Sequence, residues 1–549
     1  MSENKKSSVR WIVSNSAKIL PSVALLTALG VAMSYISVRF AVASMNLLDT
    51  AMGKTSLNFS ACIANIILLL LLQLVIQAVY TVYDVKVRTK YKHHLQRRLF
   101  KTVLTRTCPD IGKYHSGELV NRLTSDVNMI NTNVVDVIPG TVTLVSGIIF
   151  SFAEMLRLDA ALSLICLALG PVVLFSASIY GRKMKGLYKS CQQSDGKIRS
   201  FMQECIQNIV VVKAFCREKH SSDHADVLRA QNYRLNMKRG YISVAVNILY
   251  YIALTAAYYF AVAWCAYKIK LGIMTVGAFT AIIQLVGSVQ SPFRDLAGII
   301  PKFYAACASA ERIMEIEEAD PDDDSDSQSV KAQLFESLSA EKLSFAYENE
   351  VILSNADFKM NRGEIAVIHG MSGIGKSTFF KILLGVLKPQ SGSAFVNFKD
   401  SRVHAGAATR SVFSYVPQGN MLISGTIREN IAFFDDIDDK KIISASELAC
   451  IRDYIESLPD GFDTVIGEKG LGLSEGQIQR IAIARAFYSD APVILLDEAT
   501  SALDEATELK ILENIKTLSD KTCIIITHRP AALNVCDKKI RLENGKLVE

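Results

Sequence analysis

The sequence predicts a multi-domain chain: an all-α domain of six membrane-crossing helices, followed by an α/β P-loop nucleotide-binding domain. Three observations carry that reading. Six segments, near 19–42, 60–83, 134–156, 160–181, 242–267 and 277–301, are apolar and long enough to cross a hydrocarbon core of ~30 Å, which takes roughly 20 residues each. From about Ser339 the pattern changes to short apolar strands alternating with helices. Within that stretch a glycine-rich run, Gly370–Thr378, sits between one such strand and a helix.

A chain of 549 residues is too long for one compact core. Its hydrophobic residues, 50% of the total, crowd into the first part. The organisation that follows is a transmembrane domain over 1–315, an acidic linker over 316–338 and a nucleotide-binding domain over 339–549. The net charge of +6 is modest. It fits basic residues lining one rim of a membrane protein, and no aromatic-basic box points to nucleic acid. The 11 cysteines are scattered without paired CxxC spacing, which argues against a disulfide framework or a zinc site. Lys5, Lys6 and Arg10 precede a long apolar run, the pattern of a retained first membrane helix rather than a cleaved signal peptide.

Segments three and four are separated only by Leu156–Asp159 and form a hairpin. Basic residues set the orientation. They crowd between segments two and three, from Lys86 to Arg122, and again from Arg182 to Arg239, whereas the other loops are short and carry few charges. Both long loops are therefore expected on the cytoplasmic side, and both termini with them. The loops lack Gly/Pro clusters, so the membrane helices are expected to continue through them. Each turns back through a short transverse helix, near His115–Asn121 and Ile206–Phe215. Polar residues fall at helical spacing inside the crossings: Gln73 and Gln77 with Tyr80; Tyr250 among the tyrosines of segment five; Gln284 and Ser288 with Gly287, Ser291 and Asp295 in segment six. Such faces turn away from lipid, and packing and substrate contact explain them equally well. Pro292 is expected to bend segment six. The linker stretch Ala319–Ser329 is acidic and lacks the glycine and distal glutamate of an EF-hand loop, so it reads as a solvated connection.

The soluble part carries the chemistry. Glu364–Gly370 is an apolar strand running into GMSGIGKST, Gly370–Thr378, and then a helical run. This is GxxxxGK[ST] in its strand–loop–helix context. Gly370, Ser372, Gly373 and Gly375 let backbone N–H groups curl around phosphates. Lys376 supplies a cation, Ser377 a hydroxyl for Mg²⁺, and Thr378 closes the motif at a helix N-terminus. VILLDEAT, Val493–Thr500, is a buried strand ending in an acidic pair. Asp497 is placed to hold Mg²⁺, and Glu498 is the candidate general base for an attacking water.

Between these two sites lies LGLSEGQIQRIAIARA, Leu471–Ala486. It resembles the LSGGQ signature of ATP-binding cassette (ABC) transporters, with Ser474, Gly476 and Gln477 matching and Glu475 in place of the first glycine. The other family elements follow in order. Tyr347 resembles the aromatic that stacks on adenine. Gln418 resembles the glutamine that senses Mg²⁺ and water. Ser501–Asp504 (SALD) resembles the loop that crosses the dimer interface, with Asp504 at its end. His528 resembles the histidine that contacts the γ-phosphate. Thr464–Gly470 resembles the segment before the signature in exporters. The resemblance covers Ser339–Glu549, and the membrane part is similar in architecture to exporters of the multidrug, lipid and peptide group.

The resemblance implies ATP and Mg²⁺ as cofactors and a second half-transporter as partner. Each ATP would be held between one chain's P-loop and the other's signature. The complete motif set favours a homodimer, and Glu475 keeps a heterodimer open. The implied activity is ATP-driven export of an amphipathic drug, lipid or peptide by alternating access across a bacterial plasma membrane, with no nucleic-acid partner. The alternatives are an importer on the same fold and a non-transporting ATP-gated channel or sensor.

Overall fold

The computed structural model describes residues 2–322, 332–347, 350–419, 422–467 and 472–549. The side chains of 2–7, 166–183, 185, 188, 189, 290–298, 300 and 301 lie outside that description. Ser291, Pro292 and Asp295, the 323–329 part of the linker and Glu468–Gly470 are therefore outside the described residues. The chain folds as two compact units, Met1–Phe100 with Ser116–Glu315 and Lys101–His115 with Ile316–Glu549.

The first unit is helical throughout. Helices α1 (Leu20–Ala51), α2 (Phe59–Leu104), α3 (Ser116–Leu158), α4 (Ala160–Gln207), α5 (Glu218–Lys270) and α6 (Val276–Glu317) cover all six apolar segments. Among the described residues, the helical stretches Ser8–Ala51, Phe59–Leu104, Ser116–Leu158 and Glu218–Lys270 are each long and apolar enough to cross a bilayer. Helices of 46, 48 and 53 residues run well past the thickness of a membrane, as the absence of breakers in the long loops requires.

The first loop turns differently from the sequence expectation. Ser116–Asn121 is no separate transverse helix; it opens α3, which runs on to Leu158 through two π-turns at Arg122–Asp126 and Asn133–Val137. The short separate helix lies upstream at Cys108–Ile111, where Pro109 occupies the first turn and Gly112 follows the end. Pro109 cannot continue a helix that begins before it, so α2 stops at Leu104 and the chain restarts. The second loop does contain its short helix, Ile209–Ala214.

Asp159 is the one residue between α3 and α4. Its carboxylate caps α4 at Leu162 N (3.2 Å) and takes Lys268 Nζ (2.7 Å) and Trp264 Nε1 (3.1 Å) of α5. Asp49 near the end of α1 accepts from Gly277 N and Thr275 Oγ1, both at 2.9 Å, and so caps α6 from another helix. Around these turns a buried cluster gathers Val38 and Ala41 of α1, Met155 of α3, Leu162 of α4, Cys265 of α5 and Leu285 of α6.

In the second unit, strands β1 (Phe335–Tyr347), β2 (Glu350–Asn361), β4 (Ser391–Phe398) and β5 (Ser401–His404) form an antiparallel sheet in the order β2-β1-β4-β5. The first strand thus begins at Phe335, upstream of Ser339, the start of the strand pattern read from sequence. Strands β3 (Ile365–His369), β6 (Phe413–Val416), β9 (Val493–Asp497), β10 (Thr522–Ile526), β11 (Lys538–Glu543) and β12 (Lys546–Val548) form the second sheet, in the order β12-β11-β3-β10-β9-β6. A short pair, β7 (Gly425–Thr426) with β8 (Val465–Ile466), completes the set. The period-2 alternation of β3 divides two cores. Ala366 and Ile368 face the antiparallel sheet and α7 (Lys376–Leu383), while Ile365 and Val367 face α8 (Ile427–Ala432), α9 (Asp439–Leu448) and α10 (Glu475–Tyr488).

Segment 101–115 belongs to this unit through a strap. Thr107 N donates to Asp320 O (3.1 Å), Asp322 N donates to Thr105 O (3.0 Å), and Arg410 holds the Asp322 carboxylate with both terminal nitrogens. Past α8, two phenylalanines stand in the left-handed backbone region, Phe433 at φ 45° and Phe434 at φ 72°. Phe433 is stacked by Arg485 (4.3 Å), whereas Phe434 is 85% exposed. A bulky residue there costs roughly 1–2 kcal/mol, and glycine removes the cost. Phe434→Gly is expected to stabilise the ATPase domain by about 1 kcal/mol, read as a raised melting temperature of the full chain. An unchanged or lowered melting temperature would mean that the exposed ring contributes more than its backbone costs.

Candidate nucleotide site

Register builds the site. The parallel strands β3, β10, β9 and β6 pair as Ile368–Ile526, Ile526–Asp497 and Leu496–Val416, so their C-terminal ends share one edge. One or two residues beyond those pairs stand Gly370, His528, Glu498 and Gln418. The edge of an open α/β sheet is where such folds bind ligands.

The P-loop joins β3 to α7. Gly375 holds φ 108° as the residue before α7, and a Cβ there would sit 2.1 Å from Ile352 Cγ2, so only glycine fits. Gly370 and Gly373 also have positive φ, Ser372 is exposed, and Thr378 is buried on α7. Lys376 Nζ donates to Gly370 O and Met371 O, both at 2.9 Å, and lies 3.1 Å from His528 Nε2. Burial holds its pKa below the usual lysine value, opposed by the charges of Glu498 and Asp497.

Asp497 ends β9 and is 1% exposed. Ser377 Oγ donates to its Oδ1 (2.9 Å) and Tyr415 OH to its Oδ2 (3.2 Å). Burial pushes the Asp497 pKa up, and the two hydroxyl donors oppose that shift. Next along the chain, Glu498 stands in the left-handed region at φ 51°, its N–H anchored on Ile526 O at 2.9 Å. Its Oε2 accepts from Gln418 Nε2 (2.8 Å), and its Oε1 lies 3.2 Å from His528 Nε2. Lys376, His528, Glu498 and Gln418 thus form one connected string. A single nitrogen, His528 Nε2, faces both an ammonium and a carboxylate. It accepts from the first or donates to the second, according to tautomer.

The signature builds on the neighbouring helix. Ser474 caps α10 by accepting from Gln477 N (3.3 Å), and Gln477 Oε1 accepts from Ser474 N (2.8 Å), a reciprocal capping box. A Cβ on Gly476 would meet Ala502 O at 3.0 Å, so this glycine lets α10 approach the 501–504 loop. Gln479 grips the same loop, donating to Ser501 Oγ and accepting from Ala502 N, both at 3.0 Å. Asp504 closes it by capping α11 (Glu505–Thr517) at Thr507 N, 3.0 Å, and that bond holds its pKa below the usual carboxylate value.

Among the described residues, no hydrogen bond joins the signature to the P-loop string. Tyr347 ends β1 with its ring 43% exposed and edge-on to Phe345 at 4.9 Å, open to stacking. Two of the membrane candidates, Gln284 and Ser288, share a hydrogen bond one turn apart on α6. Gln77 reaches Thr81 on its own helix (3.5 Å), Ser288 donates to Gln284 O (3.1 Å), and Gln73 and Tyr250 are half-buried. Sequence reasoning missed Tyr415, Gln479 and Arg529. All three flank recognised motifs, but their roles depend on contacts across strands and loops that spacing does not reveal.

A nucleotide edge on the same chain as membrane-length helices defines a membrane-embedded ATPase. Residues 19–293 match the ABC transporter transmembrane region, and residues 353–501 match the ABC transporter family. An ATP-dependent lipid A-core flippase of Desulfotalea psychrophila is 30% identical over 79% of this chain and 76% of its own length. One of the same name from Syntrophus aciditrophicus is 29% identical over 83% of this chain and 76% of its own. The structure of a bacterial Atm1-family ABC exporter with ATP bound shares the fold at TM-score 0.79 and 21% identity, covering 97% of this chain and 95% of that one. The chain belongs to the ABC transporter family: it hydrolyses ATP to drive export across a membrane.

Proposed function

We propose that two copies of this chain pair to export an amphipathic molecule (lipid, drug or peptide) from a bacterial cytoplasm. Both termini and the ATPase domains stand on the cytoplasmic side. The observation that carries the reading is the string Lys376–His528–Glu498–Gln418 beside the Ser377–Asp497 pair. Each chain has one such string and one signature helix, which supports closure of the string on a second copy's signature. The flippase relatives are named for lipid A-core, which supports the amphipathic class.

The donors around Asp497 are oxygen atoms of a carboxylate, a hydroxyl and the nearby Gln418 amide, a set that fits Mg²⁺. Ser377, Asp497 and Gln418 would hold it, and when bound it supplies positive charge to the phosphates. P-loop amides and Lys376 bind the β- and γ-phosphates. Glu498 takes a proton from the attacking water, Gln418 orients the glutamate, and His528 donates to the γ-phosphate. Tyr347 stacks on adenine. Ser474, Gly476 and Gln477 face the nucleotide of the other copy, and Asp504 ends the loop at that interface.

The test is the ATPase rate of the chain purified alone into lipid nanodiscs, with flux of a fluorescent lipid followed in inside-out vesicles. Turnover by the lone chain and ATP-dependent accumulation in the vesicles are expected. A silent wild type that still binds ATP would overturn the homodimer.

Glu475 sits exposed in the first turn of α10, beside the signature serine. A carboxylate within ~8 Å of a phosphate charge costs about 1–2 kcal/mol at an effective dielectric of 20–40. Glu475→Gly is therefore expected to raise turnover roughly fivefold to thirtyfold. A lower rate would show that the carboxylate aids pairing.

A further inference from the structure

We propose that Tyr415 is a positioning residue of the hydrolytic site: its hydroxyl fixes the Asp497 carboxylate so that the opposite oxygen is presented to the divalent cation. This rests on the reading that Ser377 and Asp497 hold Mg²⁺.

Tyr415 lies on β6 with Leu495 of β9 as its Cα partner, two residues before Asp497. From there its hydroxyl donates to Asp497 Oδ2 at 3.2 Å. Ser377 Oγ takes the other oxygen, Oδ1, at 2.9 Å. The two carboxylate oxygens are thus divided between two hydroxyls, and only one of those hydroxyls belongs to the P-loop. The ring is held from a second side by Phe380 of α7, edge-on at 6.3 Å and 86°, itself 0% exposed. The hydroxyl therefore has little freedom to swing away from Asp497.

The surroundings make the hydroxyl informative. Ring packing there needs no polar atom, since Tyr415 packs against a cluster that includes Phe380, Phe413, Val493 and Leu495. A phenylalanine would fill the same space. A hydroxyl brought into such a place is costly unless it is bonded, and its bond goes to the buried carboxylate. Ser377 can turn to a cation because Tyr415 keeps Asp497 in place. Three residues further along the same segment is Gln418, so one short stretch of chain anchors both carboxylates of the site. Outer partners of this kind are worth about tenfold or more in metal affinity.

The test compares three full-length proteins in lipid nanodiscs: wild type, Tyr415→Phe and Ser377→Ala. Mn²⁺ serves as the metal probe, titrated by electron paramagnetic resonance with saturating ATP. Metal-free ATP binding is measured separately, in EDTA, by displacement of a fluorescent ATP analogue. Tyr415→Phe is expected to weaken Mn²⁺ about tenfold, to leave metal-free ATP affinity within twofold and to lower the melting temperature by no more than a few degrees. Ser377→Ala is expected to weaken Mn²⁺ at least as much. If Ser377→Ala weakens Mn²⁺ and Tyr415→Phe does not, the positioning role is wrong and the metal reading stands. If neither weakens it, the metal reading itself falls. Should Tyr415→Phe weaken metal-free ATP binding equally, Tyr415 shapes the whole pocket and the proposal is overturned.

Discussion

Glu498→Gln is expected to lower ATP turnover between a hundredfold and ten-thousandfold, the usual contribution of a general base, while leaving ATP binding intact. The site makes the substitution a clean one. Glutamine keeps the size of the side chain, and its carbonyl oxygen still accepts from Gln418 Nε2, which reaches Glu498 at 2.8 Å. What disappears is the negative charge and the ability to take a proton. The left-handed backbone at φ 51° is unchanged by the swap, so the strain stored at that turn is common to both proteins. Two measurements check this: phosphate release in nanodiscs, and retention of ATP after rapid gel filtration. Retention of more than about a tenth of the wild-type rate would remove Glu498 from the role of base. Loss of ATP binding would show instead that the charge of Glu498, beyond its bond to Gln418, shapes the pocket.

Much of the ATPase domain is legible in the sequence because its determinants are local. Four apolar residues before Asp497, or the strand before Gly370, announce a buried parallel strand. The residues just past its end must then lie on the ligand edge. The glycines of the P-loop are demanded by backbone geometry, as the 2.1 Å approach at Gly375 shows. What depends on contacts between distant segments is not legible. Tyr415 reads as an ordinary strand aromatic until β6 is seen beside β9. Gly476 reads as part of a phosphate-binding motif, yet its missing side chain also makes room for Ala502 O at 3.0 Å. In the membrane unit, apolar length fixes the existence of helices but not where they restart. The turn at Cys108–Ile111 depends on one residue, Pro109, in a loop that carries no Gly/Pro cluster to announce a break.

Arg529→Ala is expected to destabilise the ATPase domain by about 3 kcal/mol and to cut turnover with it. Arg529 follows His528 directly. Its Nη1 donates to Glu508 Oε2 (2.9 Å) and Leu503 O (2.7 Å), and its Nη2 to Ser501 O (2.7 Å). Glu508 is 1% exposed, and its other oxygen takes Thr500 Oγ1 at 2.7 Å. Removing the arginine leaves a buried carboxylate without a counter-charge. The cost sits at the lower end of the range for such losses because the Arg529 side chain is 34% exposed and water can partly replace it. Replacing both partners, Arg529→Met with Glu508→Leu, removes the uncompensated charge and is expected to restore most of the stability. Turnover is expected to stay at least tenfold low, because the carbonyls of Ser501 and Leu503 still lack their donor. Those carbonyls belong to the loop that Gln479 grips from the signature helix, so Arg529 links the residue after His528 to that helix through one short segment. Calorimetric melting of the full chain and its phosphate-release rate separate the two effects. Stability and turnover recovering together in the double variant would reduce Arg529 to charge neutralisation. Stability recovering alone would make the 501–504 loop the element through which the two sides of the nucleotide site are held in step.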